Sequence, residues 1–269
     1  MVKVLELFSG TGSVGKCCKE LGWDTVSVDM ILPADHKCDI MDFNYKQYDK
    51  DEFDIVWASP PCTNYSMLKK CWYGRKLKDG TIYSKEQNDI DQDEADKLVL
   101  KSFEIIDYFK PEYWFLENPQ TGNLKNRDIM KDKPFHDVDY CMYSDWGYKK
   151  RTRIWTNKKE FDNKLCDGSG ACGNMVDKQH NNVLANGYEI IDGKKVLCNT
   201  KEKRDKLRKH IKVCDGGYDK RRKHKLNVSK DVHTIGEKKD KLSNKLGKGT
   251  NKLDRYRIPE DLIYSLFLD

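Results

Sequence analysis

The chain has 269 residues, 38% of them hydrophobic, which is enough for one full α/β core and a smaller appended region. No apolar run approaches the ~20 residues of a membrane span, no signal peptide is evident, and the ten cysteines form no compact framework. A soluble, intracellular protein with reduced thiols, and no membrane partner, is therefore expected. Charge is uneven: residues 1–150 hold 21 Lys+Arg against 27 Asp+Glu, and residues 151–269 hold 29 against 17. That imbalance points the second half toward a polyanion, although a lysine-rich solvated surface gives the same bias.

Val2–Phe8 reads as a first strand, followed by the small-residue turn Ser9–Ser13 and a short helix Val14–Leu21 closed by Gly22. Trp23–Asp29 is a second strand ending in an acid, and Cys38-Asp39-Ile40 ends a third element. The apolar run Phe53–Trp57 is a further strand leading into Ser59-Pro60-Pro61-Cys62. This alternation implies βαβ units and a parallel sheet. Residues 63–92 are polar and glycine-interrupted, with Tyr65, Trp72, Tyr73 and Tyr83, and read as a long loop of the kind that closes on ligands.

Leu98, Val99, Phe103 and Ile106 space a helix over Ala95–Phe109. Tyr113–Leu116 is a buried strand running into Glu117-Asn118-Pro119. Val138–Thr156 is expected to be a hairpin turning at Asp145-Trp146-Gly147. From about 158 to 250 the pattern dissolves into Lys, Asn, Asp and Gly, a small irregular domain with 241–250 as a linker. A short amphipathic helix, Pro259–Leu268, closes the chain. The expected division is thus 1–157, 158–250 and 251–269.

Several groups carry chemistry. A Pro-Pro pair removes two backbone donors and fixes two φ angles, so Cys62 leaves its strand in a stiff direction, placed like a nucleophile; a buried structural thiol is the plainer alternative. Phe8-Ser9-Gly10-Thr11-Gly12 follows a strand and opens a helix, and Asp29, 17 residues beyond Gly12, is placed to take ribose hydroxyls. Asp39-Ile40 is positioned to read an adenine edge, with loop capping as the alternative for both acids. Glu117 ends an apolar strand as a proton donor in waiting or an exposed acid. Period 2 aims Arg151 and Arg153 to one side, toward an anion or electron-rich base, or simply makes a basic edge.

Residues 201–225 carry twelve Lys+Arg against four Asp+Glu, with Arg221, Arg222 and Lys223 expected on a phosphate backbone. Cys166-x5-Cys172-x7-His180, with Cys198, His210 or Cys214 nearby, hints at zinc. The spacing is irregular and lacks a Cys-x2-Cys pair, so no metal is assigned and Cys166, Cys172 and His180 stay weak candidates.

In order, Phe8–Gly12, Pro60-Pro61-Cys62, Glu117-Asn118 and Arg151-x-Arg153 resemble motifs I, IV, VI and VIII of the cytosine-C5 DNA methyltransferases. Arg257-Ile258-Pro259-Glu260 resembles the closing motifs. The resemblance is greatest to compact viral and phage members, whose Tyr-Cys-Met-Tyr and Arg-Ile-Trp-Thr-Asn phrases recur here. Ser59, Pro119 and Lys149 depart from the usual Gly, Val and Gln.

The resemblance implies a Rossmann-like, S-adenosylmethionine-dependent α/β sheet with a small target-recognition domain. It implies Cys62 as nucleophile at cytosine C6, Glu117 as donor to N3, Arg153 at O2 and Arg151 in support. Phe8, Ser9, Gly10, Thr11, Gly12, Asp29, Met30, Asp39, Ile40 and Pro60 would bind the cofactor, and Ser66 the nucleic acid. The implied partner is duplex DNA with the target cytosine flipped out, acted on by a monomer. RNA (tRNA) methylation with the same residues, or an inactive nucleic-acid-binding relative, is the alternative. An exocyclic amino-methyltransferase would need an aromatic residue where Cys62 stands.

Overall fold

The computed structural model describes residues 1–77, 79–144, 146, 149–176, 179–180, 188–191, 194–197 and 256–268. The chain divides into two compact units, Met1–Val138 with Arg151–Asn163, and Asp139–Lys150 with Lys164–Asp269. The sequence division places boundaries after residues 157 and 250; the second compact unit also takes in the segment between the fifth and sixth strands.

The first unit is built on a six-stranded mixed sheet. Its strands are β1 (Lys3–Leu7), β2 (Asp24–Val28), β3 (Ile55–Ala58), β4 (Tyr113–Pro119), β5 (Phe135–Asp139) and β6 (Arg151–Thr156), in the order β2-β1-β3-β4-β6-β5. β2, β1, β3 and β4 run parallel, and β6 returns antiparallel to β4. The chain moves from β1 outward to β2 and then back across to β3. The carboxyl ends of β1 and β3 therefore flank a topological switch point, where open α/β sheets bind ligands.

One sheet face carries Leu5, Leu7, Val56, Ala58, Leu116 and Trp155. It joins a core with Ala95, Val99, Phe103, Ile106 and Phe109 of helix α2 (Lys85–Phe109). Helix α1 (Ser13–Glu20) buries Val14, Cys17 and Cys18.

Two sequence expectations shift. No strand forms at Cys38-Asp39-Ile40; that stretch is a turn in which Asp39 Oδ1 accepts from Met41 N at 2.9 Å, beyond a single bridge from Val28 to His36. Helix α2 begins at Lys85, ten residues before the expected start. Ser84 caps it by accepting from Gln87 N at 3.1 Å. Its first turns escape an apolar reading because their inward stripe is polar: Asn88, Gln92 and Asp96, spaced by four, are all buried. The helix ends at left-handed Lys110 (φ 50°), where Pro111 disfavours a further helical residue.

In the second unit, Tyr140–Met142 forms a short 3-10 turn. β7 (Met175–Val176) pairs antiparallel with β8 (Gln179–His180), and β9 (Tyr188–Ile191) with β10 (Lys194–Leu197). The C-terminal helix Glu260–Leu268 buries Leu262, Ile263 and Leu266, and Arg257 stacks over Trp146 at 4.7 Å. Among the described residues, no helix is long and apolar enough to cross a membrane.

Candidate active site

At the carboxyl edge of β1 the backbone turns left-handed three times, at Phe8 (φ 58°), Gly10 (φ 55°) and Gly12 (φ 69°). A Cβ at Gly12 would meet nothing within 4 Å, so glycine is favoured there by φ and not by space. Asp29 braces the loop. Its Oδ2 accepts from Gly10 N at 2.9 Å, and its Oδ1 accepts from Ile31 N and Leu32 N at 2.8 and 2.7 Å. Ser9 is buried, Ile40 is buried, and Met30 is exposed.

Glu6, which carries no signal in the sequence, lies 3% exposed beneath this loop. Its carboxylate accepts from Val14 N at 3.2 Å and Gly15 N at 3.0 Å, satisfying two orphan donors at the start of α1. Burial nevertheless dominates and pushes its pKa up to about 7, against the lowering effect of those two N–H groups.

A raised carboxyl pKa means the folded state binds more protons than the unfolded state between pH 4.5 and 7. Its stabilising contribution is complete below 4.5 and lost as pH rises through 7. Wild type is expected to lose about 3 kcal/mol more stability than Glu6→Gln between pH 4.5 and 8. Urea unfolding of both proteins across that range checks this. Parallel pH profiles would contradict it.

The second loop follows β3. Cys62 is partly exposed, and its carbonyl accepts from Tyr65 N at 3.1 Å, closing a turn over Thr63-Asn64. Tyr65 is 1% exposed and donates to Asp96 Oδ1 at 2.8 Å; burial and that carboxylate push its pKa far up, so it remains a donor. Arg127 Nε clamps the other Asp96 oxygen at 2.8 Å.

The segment after Cys62 is thus tethered and not an open loop. Ser66 caps the 3-10 helix Met67–Trp72, accepting from Leu68 N at 3.3 Å. Lys69 bonds Asn64 Oδ1 at 2.8 Å and Asp91 Oδ2 at 2.6 Å, and Tyr83 donates to the same Asp91 oxygen at 2.8 Å. Met67, Leu68, Trp72 and Ile82 remain exposed on it.

The third contribution is β4. Glu117 and Asn118 are buried at its carboxyl end, beside the end of β3. Asn118 Nδ2 donates to Pro60 O at 2.9 Å, a buried bond that ties the Pro-Pro-Cys loop to the Glu-Asn strand. The motif reading quoted Asn118 without assigning it this role. β6 is antiparallel, so its first residues reach the same edge, and Gln120 N donates to Arg151 O at 3.1 Å.

Cys62, Glu117, Arg151 and Arg153 are therefore brought to one end of the sheet, but not to one face. Register sets Arg153 opposite Asn118 and Ile154 opposite Glu117, so the two arginines lie on the face away from Glu117. Arg153 forms a bidentate pair with Asp137 (2.7 and 2.8 Å) and stacks over Phe135.

Lys149, at the position of the missing Gln, belongs to the second unit and donates to Cys166 O at 2.7 Å. Cys166, Cys172 and His180 do converge there, joined by Cys141, which the sequence spacing gave no reason to include. Cys198, His210, Cys214, Arg221, Arg222 and Lys223 lie outside the described residues.

The model of the C-5 cytosine-specific DNA methylase family matches residues 2–144. A protein of Frog virus 3 (isolate Goorha), named "Probable DNA (cytosine-5)-methyltransferase", is 40% identical over 176 residues, 65% of this chain and 79% of that protein. Among solved structures, the Entamoeba histolytica methyltransferase EhMeth is similar with a TM-score of 0.43 and 18% identity, over 62% of this chain and 56% of that one. The S. pombe Dnmt2 methyltransferase gives 0.38 and 13%, over 71% and 60%.

Proposed function

This chain belongs to the C-5 cytosine-specific DNA methylase family, and we propose that Cys62 and Glu117, with Arg151 and Arg153, are its catalytic residues, acting on a cytosine flipped out of duplex DNA. The chain is a DNA (cytosine-5)-methyltransferase by that membership; the residue roles are the proposal. One observation carries it: adjacent parallel strands bring Pro60-Pro61-Cys62 and Glu117-Asn118 to one edge, tied by the Asn118–Pro60 bond of 2.9 Å.

Cytosine C5 is a poor nucleophile. In this reading Cys62 Sγ bonds to C6 while Glu117 gives a proton to N3, and the electrons pushed into the ring make C5 enamine-like. The methyl donor, S-adenosylmethionine, supplies the methyl group from its sulfonium. Loss of the C5 proton to a water-linked base, expulsion of Cys62 and return of the N3 proton to Glu117 restore the ring. C6 is inaccessible within a stack, so the base must be extruded, at a cost of a few kcal/mol. Arg151 supports the edge, and Arg153 reaches cytosine O2 only by exchanging its bond to Asp137.

The residues of the first loop fit such a donor. Dinucleotide sites keep the N–H groups of the first helix for phosphate. Here Glu6 takes those of Val14 and Gly15, and Asp29 lies beside the loop. With those N–H groups taken and the Asp29 carboxylate beside the loop, the edge disfavours phosphate and suits a phosphate-free nucleoside carrying a cation. Phe8, Ser9, Gly10, Thr11, Gly12, Asp29, Met30, Asp39, Ile40 and Pro60 are the proposed contacts.

The division into a catalytic domain (1–157), a recognition domain (158–250) and a returning segment (251–269) stands as a proposal on the charge bias and motif order. If Arg221, Arg222 and Lys223 grip phosphates, neutralising all three flattens the log–log salt dependence of DNA affinity by up to about three units. Affinities at several salt concentrations check it; an unchanged slope would make the bias surface composition alone. The function itself is tested by supplying labelled S-adenosylmethionine with duplex DNA or with tRNA. Label in the C5 position of DNA cytosine is expected, and label confined to tRNA would overturn the substrate assignment.

A further inference from the structure

We propose that Cys141, Cys166, Cys172 and His180 bind one zinc ion in a tetrahedral, fully protein-ligated site that holds the second unit together. The inference rests on that unit alone and not on the methyl-transfer reading. All four ligand atoms lie within 4.8 Å of one another. Cys166 Sγ is 3.8 Å from Cys172 Sγ and 3.7 Å from His180 Nε2, and Cys172 Sγ is 3.8 Å from that nitrogen.

Zinc–sulfur bonds of about 2.3 Å and zinc–nitrogen bonds of about 2.0 Å set tetrahedral edges of about 3.8 Å between sulfurs and about 3.5 Å between sulfur and nitrogen. The three edges among Cys166, Cys172 and His180 are those of a cage around one ion, and Cys141 completes the set within 4.8 Å. They are far too long for a disulfide, whose sulfurs sit at about 2.05 Å, and all three cysteines are free.

The polypeptide around the cage is organised to hold it. Asn174 is buried, and its amide donates to Cys141 O (2.8 Å), Ser144 O (2.7 Å) and Cys172 O (3.0 Å), fastening two ligand-bearing segments together. Asp139, fully buried, accepts from Cys166 N at 2.8 Å, while Lys149 donates to Cys166 O at 2.7 Å. Positive φ at Gly168, Gly170 and Gly173 turns the chain between and just beyond the two central cysteines. His180 arrives on β8, opposite Met175. Hydrogen bonds that fix the backbone of each ligand are the outer-shell support metal sites use.

The chemistry selects the ion. Three sulfurs and an imidazole exclude magnesium and calcium, which take oxygen, and favour zinc. Four protein ligands leave no open position, so the ion is structural. Zinc with three thiolates carries one net negative charge; Lys149 nearby is paired with the buried Asp139 at 3.4 Å. Such an ion does for a small unit what a larger apolar core does elsewhere.

The test is elemental analysis of the full chain purified without chelator. About one zinc per chain is expected, falling below about 0.2 in Cys141→Ser and Cys172→Ser and unchanged in Cys71→Ser, whose thiol is exposed and belongs to the first unit. Where a serine variant is insoluble, cobalt exchange into wild type decides. Intense visible bands of tetrahedral cobalt–thiolate are expected. Zinc-free protein from zinc-supplemented cells, zinc undiminished in Cys141→Ser, or cobalt spectra without thiolate bands would overturn the proposal.

Discussion

Cys62→Ser is expected to abolish methyl transfer, lowering turnover by about 10⁴-fold or more, the scale on which removing a catalytic nucleophile acts. A serine hydroxyl is a far weaker nucleophile than a thiolate at neutral pH, and Cys62 sits at a partly exposed turn where the change leaves the core intact. Cofactor affinity should stay within a few-fold, because the loop braced by Asp29 and Glu6 is untouched. Single-turnover transfer and cofactor titration of both proteins separate the two effects. Full activity in the serine variant would end the covalent mechanism.

Glu117→Gln is the second large effect. It keeps the shape of a buried side chain at the end of β4 and removes a transferable proton. General acid catalysis is typically worth about 10²–10⁴-fold, so turnover should fall on that scale with DNA affinity held. A fall in affinity with turnover intact would make Glu117 a binding group only. Asn118→Ala provides the contrast: it releases Pro60 and should loosen the Cys62 loop, costing stability of about 1–3 kcal/mol as well as rate.

Much of this site was legible because motif chemistry constrains the backbone. A left-handed Gly12 and a Pro-Pro pair both announce where the chain must turn, and the structure has both turns at strand ends. What stayed hidden depends on partners remote in sequence. Glu6 looks like an ordinary strand residue until α1 docks its N–H groups on it. The start of α2 was concealed because Asn88, Gln92 and Asp96 are buried by polar bonding and not by hydrophobicity. Cys141 lies 25 residues before Cys166, and only folding brings the two sulfurs to one centre. The face on which Arg153 lies follows from β4–β6 register, which no local pattern encodes.

The covalent role of Cys62 is tested most directly by supplying S-adenosylmethionine with duplex DNA containing 5-fluorocytosine at the target. Fluorine at C5 cannot leave as a proton does, so after methyl transfer the Cys62 sulfur stays bonded to C6. A denaturation-resistant protein–DNA adduct is expected, with the nucleotide mass on the peptide containing Cys62 and no adduct from Cys62→Ser. An unmodified Cys62 peptide, or the adduct on another cysteine, would contradict the account.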